Sequence, residues 1–186
     1  QKFIEILRNP FYLKEYLQQY SNINKQGTYQ DFIKLLWRKR IQSTIQKNNL
    51  HLERERCIIT IAKERAERGH FYINGDNLPQ KALFQLKQDE IIGYDDIHNG
   101  YFITHDIYEE WALDKIVSTS FSNISTIKNF FNGLGNSLSI RRAFRLWLLN
   151  QISTTTNNKI ENLIQESLIS IDINQNWKDE VLISIL

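Results

Sequence analysis

One short stretch breaks a pattern that is otherwise helical, and this contrast constrains the fold more than any other feature of the chain. Over most of the sequence, apolar residues recur at three- and four-residue spacing, which is typical of amphipathic α-helices. Residues 89–104 ("DEIIGYDDIHNGYFIT") instead contain two short apolar runs, and Asn99-Gly100 lies between them. Because Asn-Gly is the strongest short signal for a hairpin turn, we expect one β-hairpin closed around these two residues.

Two helices are predicted directly before the hairpin, after the helical segment of 1–50. The longer one covers about 53–68 and is expected to end at Gly69, a residue type that commonly terminates helices. The shorter one covers 78–88, with Pro79 in its first turn, where a missing N–H costs nothing.

After the hairpin, capping residues predict where the next helix begins. Asp106, with Glu109 three positions later, resembles a capping box, so we expect Asp106 to be the N-cap of a helix of about twelve residues. The order helix, short helix, hairpin, helix is that of a winged-helix domain, which we place at 51–119. Helical spacing in 1–50 predicts a small, partial helical domain, and in 120–186 it predicts a repeat-like helical array. The predicted fold class is therefore mainly α: a short helical segment, a winged-helix domain with one β-hairpin, and an α-helical array.

Composition excludes several classes of protein. The chain has 186 residues, of which 41% are hydrophobic and 12% aromatic, so it has enough apolar surface to form a core. The net charge of +2 is well below that of a dedicated nucleic-acid-binding protein. No stretch has the length and apolar character of a membrane span, so we expect no membrane association. The single cysteine, Cys57, suits a cytoplasmic location, and its place on an apolar helical face predicts a buried packing residue.

Residue patterns that carry catalysis are missing. None of the seven glycines is followed by lysine, so the sequence has no phosphate-binding loop with its lysine. No pair of histidines has the spacing of zinc ligands, and no nucleophile elbow is present. We therefore expect that this chain alone is not an enzyme and that it holds no metal and no cofactor by itself.

The most informative candidate is His105, which directly precedes the predicted cap at Asp106. The N-terminus of a helix favours an anion, and an imidazole there can donate a hydrogen bond to a phosphate group. The alternative is a half-exposed histidine at a strand–helix junction that binds no ligand.

A second candidate surface is the short helix before the hairpin. In a DNA-binding winged helix such a helix enters the major groove, and the residues available here are Lys81, Gln85, Lys87 and Gln88. Four acidic residues in and beside the hairpin would repel a phosphate backbone: Asp89, Glu90, Asp95 and Asp96. DNA binding is therefore the weaker hypothesis. Two basic clusters, "WRKR" (37–40) and "RRAFR" (141–145), are interpreted as solvated helix faces, with Arg141, Arg142 and Arg145 on the polar side of the second.

Several stretches, taken in order, resemble the region that follows the nucleotide-binding core of STAND ATPases, the NACHT and NB-ARC type of signalling ATPase. They are "LRNPFYLKEYL" (7–17), "ERERCIITIAKERAERGHF" (53–71), "FITHDIYEEWAL" (102–113), "SIRRAFRLWLLN" (139–150) and "NWKDEVLISIL" (176–186). The resemblance implies that Pro10 packs against the adenine ring. It also implies that His105 and Asp106 form a His-Asp motif whose histidine contacts the β-phosphate of ADP.

The resemblance further implies a regulatory role. The phosphate loop of such proteins lies upstream of this region, and the chain begins at Gln1 within a predicted helix, so we expect it to be a fragment of a larger ATP- or ADP-binding protein. Its expected partner is the nucleotide-binding domain of the same polypeptide, with a homo-oligomer on activation and protein partners through 120–186. A winged-helix DNA-binding regulator and a helical docking scaffold remain the alternatives.

Overall fold

The computed structural model describes residues 4, 7–19, 29–43, 49–154 and 158–186. Within these ranges the helices before the hairpin are α1 (Pro10–Gln19), α2 (Tyr29–Leu36), a π-helical turn (Trp37–Gln42), α3 (Leu50–Arg68) and α4 (Gln80–Gln88). The hairpin strands are β1 (Ile92–Asp95) and β2 (Gly100–Ile103). The helices that follow are α5 (Asp106–Ser122), α6 (Ile127–Leu134), α7 (Leu138–Thr154), α8 (Asn158–Ile169) and α9 (Gln175–Ile185). The predicted class, mainly α with one β-hairpin, is confirmed.

Both predicted helices before the hairpin are present. Gly69 ends α3 in the left-handed conformation, with φ of 67°, and its N–H donates to the carbonyl of Arg65 at 2.9 Å. The carbonyl of Pro79 accepts from the amides of Ala82 and Leu83 at the start of α4. Since proline gives up no helical hydrogen bond at this position, it fixes where the short helix begins.

The hairpin is present, but the prediction of a two-residue turn was wrong. Asp95 is paired with Gly100, so four residues, 96–99, connect the strands. The loop is closed by Asp95, whose Oδ1 accepts from the amide of His98 at 2.8 Å, and Asn99 takes a left-handed φ of 49°. Gly100 lies in β2, where a Cβ would stand 2.8 Å from the Cβ of Tyr72. The glycine is therefore needed for close packing inside the sheet.

Helix α5 crosses the predicted boundary between the winged-helix domain (51–119) and the helical array (120–186). It has 17 residues and runs to Ser122, so a boundary at 119 would cut through it. It packs against α3 on one side and α7 on the other, and one hydrophobic cluster extends from Tyr12 in α1 to Val181 in α9. The division into three domains remains a prediction.

The helices after α5 share an aromatic core that contains a buried ion-pair site. The ring of Phe131 lies 4.8 Å from that of Trp177. Glu180 of α9 is buried, and its carboxylate lies 2.9 Å from Arg145 Nε and 3.8 Å from Arg141 Nη1. The interpretation of the second basic cluster as a solvated face was therefore wrong for these two arginines, because they compensate a buried carboxylate. Arg142 is exposed, as expected.

The first basic cluster is also partly structural. Arg40 forms an ion pair with Glu15, a buried residue of α1, and Trp37 is buried as well.

Within the residues that the structure describes, no helix is long and apolar enough to cross a membrane.

Candidate functional site

The corner between β2 and α5 is fixed to the segment that precedes the hairpin. The amide of Thr104 donates to the carbonyl of Ile91 at 3.2 Å, and its hydroxyl donates to the carbonyl of Glu90 at 2.5 Å, with the Ile91 carbonyl 3.0 Å away. These bonds hold the chain in place immediately before His105, so the position of the next side chain is set by the sheet.

His105, rather than Asp106, is the N-cap of α5. Its backbone is extended, with φ of −143° and ψ of 129°, and its Nδ1 accepts from the amide of Ile107 at 3.2 Å. The prediction that Asp106 caps this helix was wrong, because an imidazole nitrogen takes the acceptor role that Asp, Asn, Ser or Thr usually has. Asp106 is the first helical residue and is exposed to solvent.

This capping hydrogen bond indicates which nitrogen of the imidazole ring carries the proton. A nitrogen that accepts an N–H carries no proton, so the neutral ring of His105 has its proton on Nε2. The side chain is exposed, and Nε2 has no hydrogen-bond partner among the described residues. The corner therefore offers one N–H donor to a ligand.

The structure brings the start of α1 to this corner. The ring of Phe11 lies 5.1 Å from that of His105, at an interplanar angle of 39°. Asn9 caps α1, since its Oδ1 accepts from the amide of Phe11 at 2.9 Å, and Pro10 is the first helical residue, exposed to solvent. Pro10, His105 and Asp106, which the sequence singled out, thus lie on neighbouring helix N-termini.

Aromatic residues that sequence reasoning did not assign to the site hold the two helices together. The indole Nε1 of Trp111 donates to the hydroxyl of Tyr12 at 3.0 Å in a buried environment. Phe11 also contacts the ring of Tyr108 edge-on, with centroids 5.8 Å apart. The apolar residues at helical spacing in 1–50 include Phe11, and this spacing was the only local signal for its role.

The charges around the corner have both signs. Glu109 forms an ion pair with Arg65 at 3.0 Å, so its carboxylate is compensated. Asp106 has no ion-pair partner in the described part of the chain and adds a negative charge where the helix N-terminus favours an anion. A phosphate bound to His105 therefore needs additional positive charge from outside these residues.

The alternative DNA-binding residues all lie on α4, but they do not form a basic face. Lys81, Lys87 and Gln88 are exposed, whereas Gln85 is half-buried. The ammonium of Lys87 lies 5.5 Å from the ring centroid of Tyr94 on the hairpin. With Asp95 and Asp96 nearby on the same hairpin, the local charge does not favour a phosphate backbone.

Comparison with known proteins provides no functional assignment for this chain. The sequence matches no protein-family model and no curated protein. Within the described residues, no group of three or more His, Cys, Asp or Glu side chains is arranged to hold a metal ion.

Proposed function

We propose that this chain is the regulatory part of a signalling ATPase. In this proposal, His105 holds the phosphate of a bound ADP, against a nucleotide-binding core that lies elsewhere in the same polypeptide. The observation that supports the proposal is the ring contact between Phe11 and His105, because Pro10 directly precedes Phe11 at the start of α1. A nucleotide whose adenine contacts Pro10 and whose phosphate contacts His105 requires these two residues to lie close together.

Each residue has a distinct physical role. His105 donates from Nε2, and the fixed Nδ1 bond orients the ring before the ligand arrives. Pro10 has no N–H and presents an apolar ring at the start of α1, which suits a flat, weakly polar base. Hydrolysis of ATP would belong to the core, since the chain has no phosphate loop of its own.

The energy of this contact is sufficient for a switch. A hydrogen bond to a charged group contributes about 1.5–3 kcal/mol, and a helix N-terminus adds about 0.3–1 kcal/mol. A difference of about 2–3 kcal/mol between two states changes their ratio by about 30- to 150-fold. Loss of ADP would therefore release this part of the protein and permit oligomerisation.

The test uses the full-length polypeptide that contains this chain. We expect His105→Ala to speed dissociation of a fluorescent ADP analogue by about 10- to 100-fold, which corresponds to the lost charged hydrogen bond. His70→Ala is the matched control, since His70 is also exposed but lies at the end of α3, and it should leave the rate unchanged. Equal rates for the two variants would contradict the proposal.

The proposed function also requires a phosphate loop elsewhere in the same polypeptide. The reading frame upstream of Gln1 is expected to encode a phosphate loop of the form G-x-x-x-x-G-K-[ST] between a strand and a helix. If the polypeptide has no such loop, the proposed function is wrong.

A further inference from the structure

A groove of about 450 Å³ lies between α4 and the hairpin, away from the corner at His105. Its apolar lining includes Leu83 and three aromatic rings, those of Phe84 in α4, Tyr94 in β1 and Tyr101 in β2. Asp76, in the loop before α4, contributes a carboxylate to the rim. Its volume is in the range that is typical of small-molecule sites.

The two tyrosine rings are held in place by the sheet. Tyr94 and Tyr101 are directly opposite each other in the antiparallel register, so their side chains emerge on the same face. Their centroids are 4.8 Å apart at 62°, and the Tyr94 hydroxyl donates to Asn99 Oδ1. A Cβ at Gly75 would stand 2.5 Å from the Tyr101 ring, so the backbone lies directly against this ring.

The groove favours a positive charge. The faces of aromatic rings attract cations, and the protein's own Lys87 already shows this, with its ammonium 5.5 Å from the centroid of Tyr94. The Asp76 carboxylate accepts from Asn74 Nδ2 at 2.9 Å, and Asp76 N donates to Asn74 Oδ1 at 2.7 Å. These bonds fix the carboxylate beside the rings. Phe84 lines the groove and is 61% exposed, so a ligand from solvent can reach its ring.

We propose that this groove binds a small organic ammonium ion. The rings of Phe84, Tyr94 and Tyr101 surround the cation, and Asp76 balances its charge. Lys87 occupies the Tyr94 face when the ligand is absent and moves away when it binds. This site is separate from His105, so the proposal does not depend on the proposed function.

The test is a titration of the 186-residue chain, followed by NMR of the tyrosine ring protons. The probes are choline and its uncharged isostere 3,3-dimethylbutan-1-ol, which has the same shape. Choline is expected to shift the ring signals of Tyr94 and Tyr101, and to bind at least about fivefold more tightly than the alcohol, because only choline carries the charge. Equal affinities, or no binding of choline, would overturn the proposal.

Two variants should change the affinity in opposite directions. Lys87→Gln removes the internal competitor and is expected to tighten choline binding by about two- to fivefold, whereas Asp76→Asn should weaken it by a similar factor. Lys81→Gln is the control, since Lys81 is an exposed lysine of the same helix that does not line the groove. If Lys87→Gln leaves the affinity unchanged, or alters it no more than Lys81→Gln does, the assignment of this groove is wrong.

Discussion

Cys57 lies in the middle of α3 with no exposed surface, and this burial controls its chemistry. Burial, with a smaller contribution from Glu53, raises the pKa of the thiol to about 11. Because the thiolate is the reactive form, the folded protein keeps this cysteine unreactive. The prediction of a buried packing residue is thus confirmed.

Two measurements follow from the raised pKa of Cys57. A thiol reagent at pH 8 should label the chain only after unfolding. As pH rises from about 9 to about 11, the unfolded thiol ionises while the folded one keeps its proton, so the free energy of unfolding should fall by up to about 2.7 kcal/mol. Subtracting the pH profile of Cys57→Ala isolates this contribution from other groups. Rapid labelling of the native protein at pH 8 would contradict the account.

At the scale of elements, the hairpin shows what a local pattern predicts well and what it does not. The two short apolar runs and the turn residues of 89–104 predicted two strands correctly. The true connection over 96–99 depends on the Asp95 side chain and on the packing of Gly100 against Tyr72, which is distant in sequence. Similarly, the pattern predicted the start of α5 to within a residue, but standard capping preferences hid the role of His105.

Two glycines should respond in opposite ways to alanine. In β1, a Cβ at Gly93 would lie 2.2 Å from the ring of Phe102, so Gly93→Ala should lower the free energy of unfolding by about 1–3 kcal/mol. In α6, no atom of the described residues outside the local helix backbone lies within 4 Å of the Cβ position of Gly133, so Gly133→Ala should raise the free energy of unfolding by about 0.4–1 kcal/mol. Chemical denaturation of both variants checks the pair: a rise for Gly93→Ala would contradict the register of the hairpin, and a fall for Gly133→Ala would contradict the open position in α6.

At the scale of the whole molecule, Arg54 connects three parts of the chain. It is 1% exposed, its guanidinium donates to the carbonyls of Ile41 at 2.6 Å and Arg40 at 2.8 Å, and it forms an ion pair with Asp89 at 2.7 Å. It therefore joins α3 to the end of the π-helical turn and to the end of α4. The carbonyls of an unusual helical turn would otherwise be buried without a donor.

Arg54→Ala is expected to lower the free energy of unfolding by about 3–5 kcal/mol, because it removes a buried guanidinium, leaves the carbonyls of Ile41 and Arg40 without their donor, and breaks the ion pair with the half-exposed Asp89. Arg56→Ala, an exposed arginine two residues away on the same helix, should change it by less than about 0.5 kcal/mol. Equal effects of the two substitutions in chemical denaturation would mean that Arg54 is not the structural link described here.

Long-range pairs were the part of the molecule that the sequence did not predict. Periodicity predicted the helices and placed His105 at a corner, because both depend on neighbours within a few residues. The bond between Trp111 and Tyr12 joins positions 99 apart, and the pair of Arg145 and Glu180 joins separate helices. Arg54 lies one turn before Cys57 on the apolar face of α3, and this position was the one local sign of its burial.

NMR of the imidazole nitrogens of His105 in the full-length polypeptide, with and without ADP, tests whether this histidine binds the phosphate. We expect the ring proton on Nε2 rather than Nδ1, and a shift of the Nε2 signal when ADP binds, while the signals of His70 stay unchanged. A proton on Nδ1, or an unchanged Nε2 signal with ADP bound, would contradict the account.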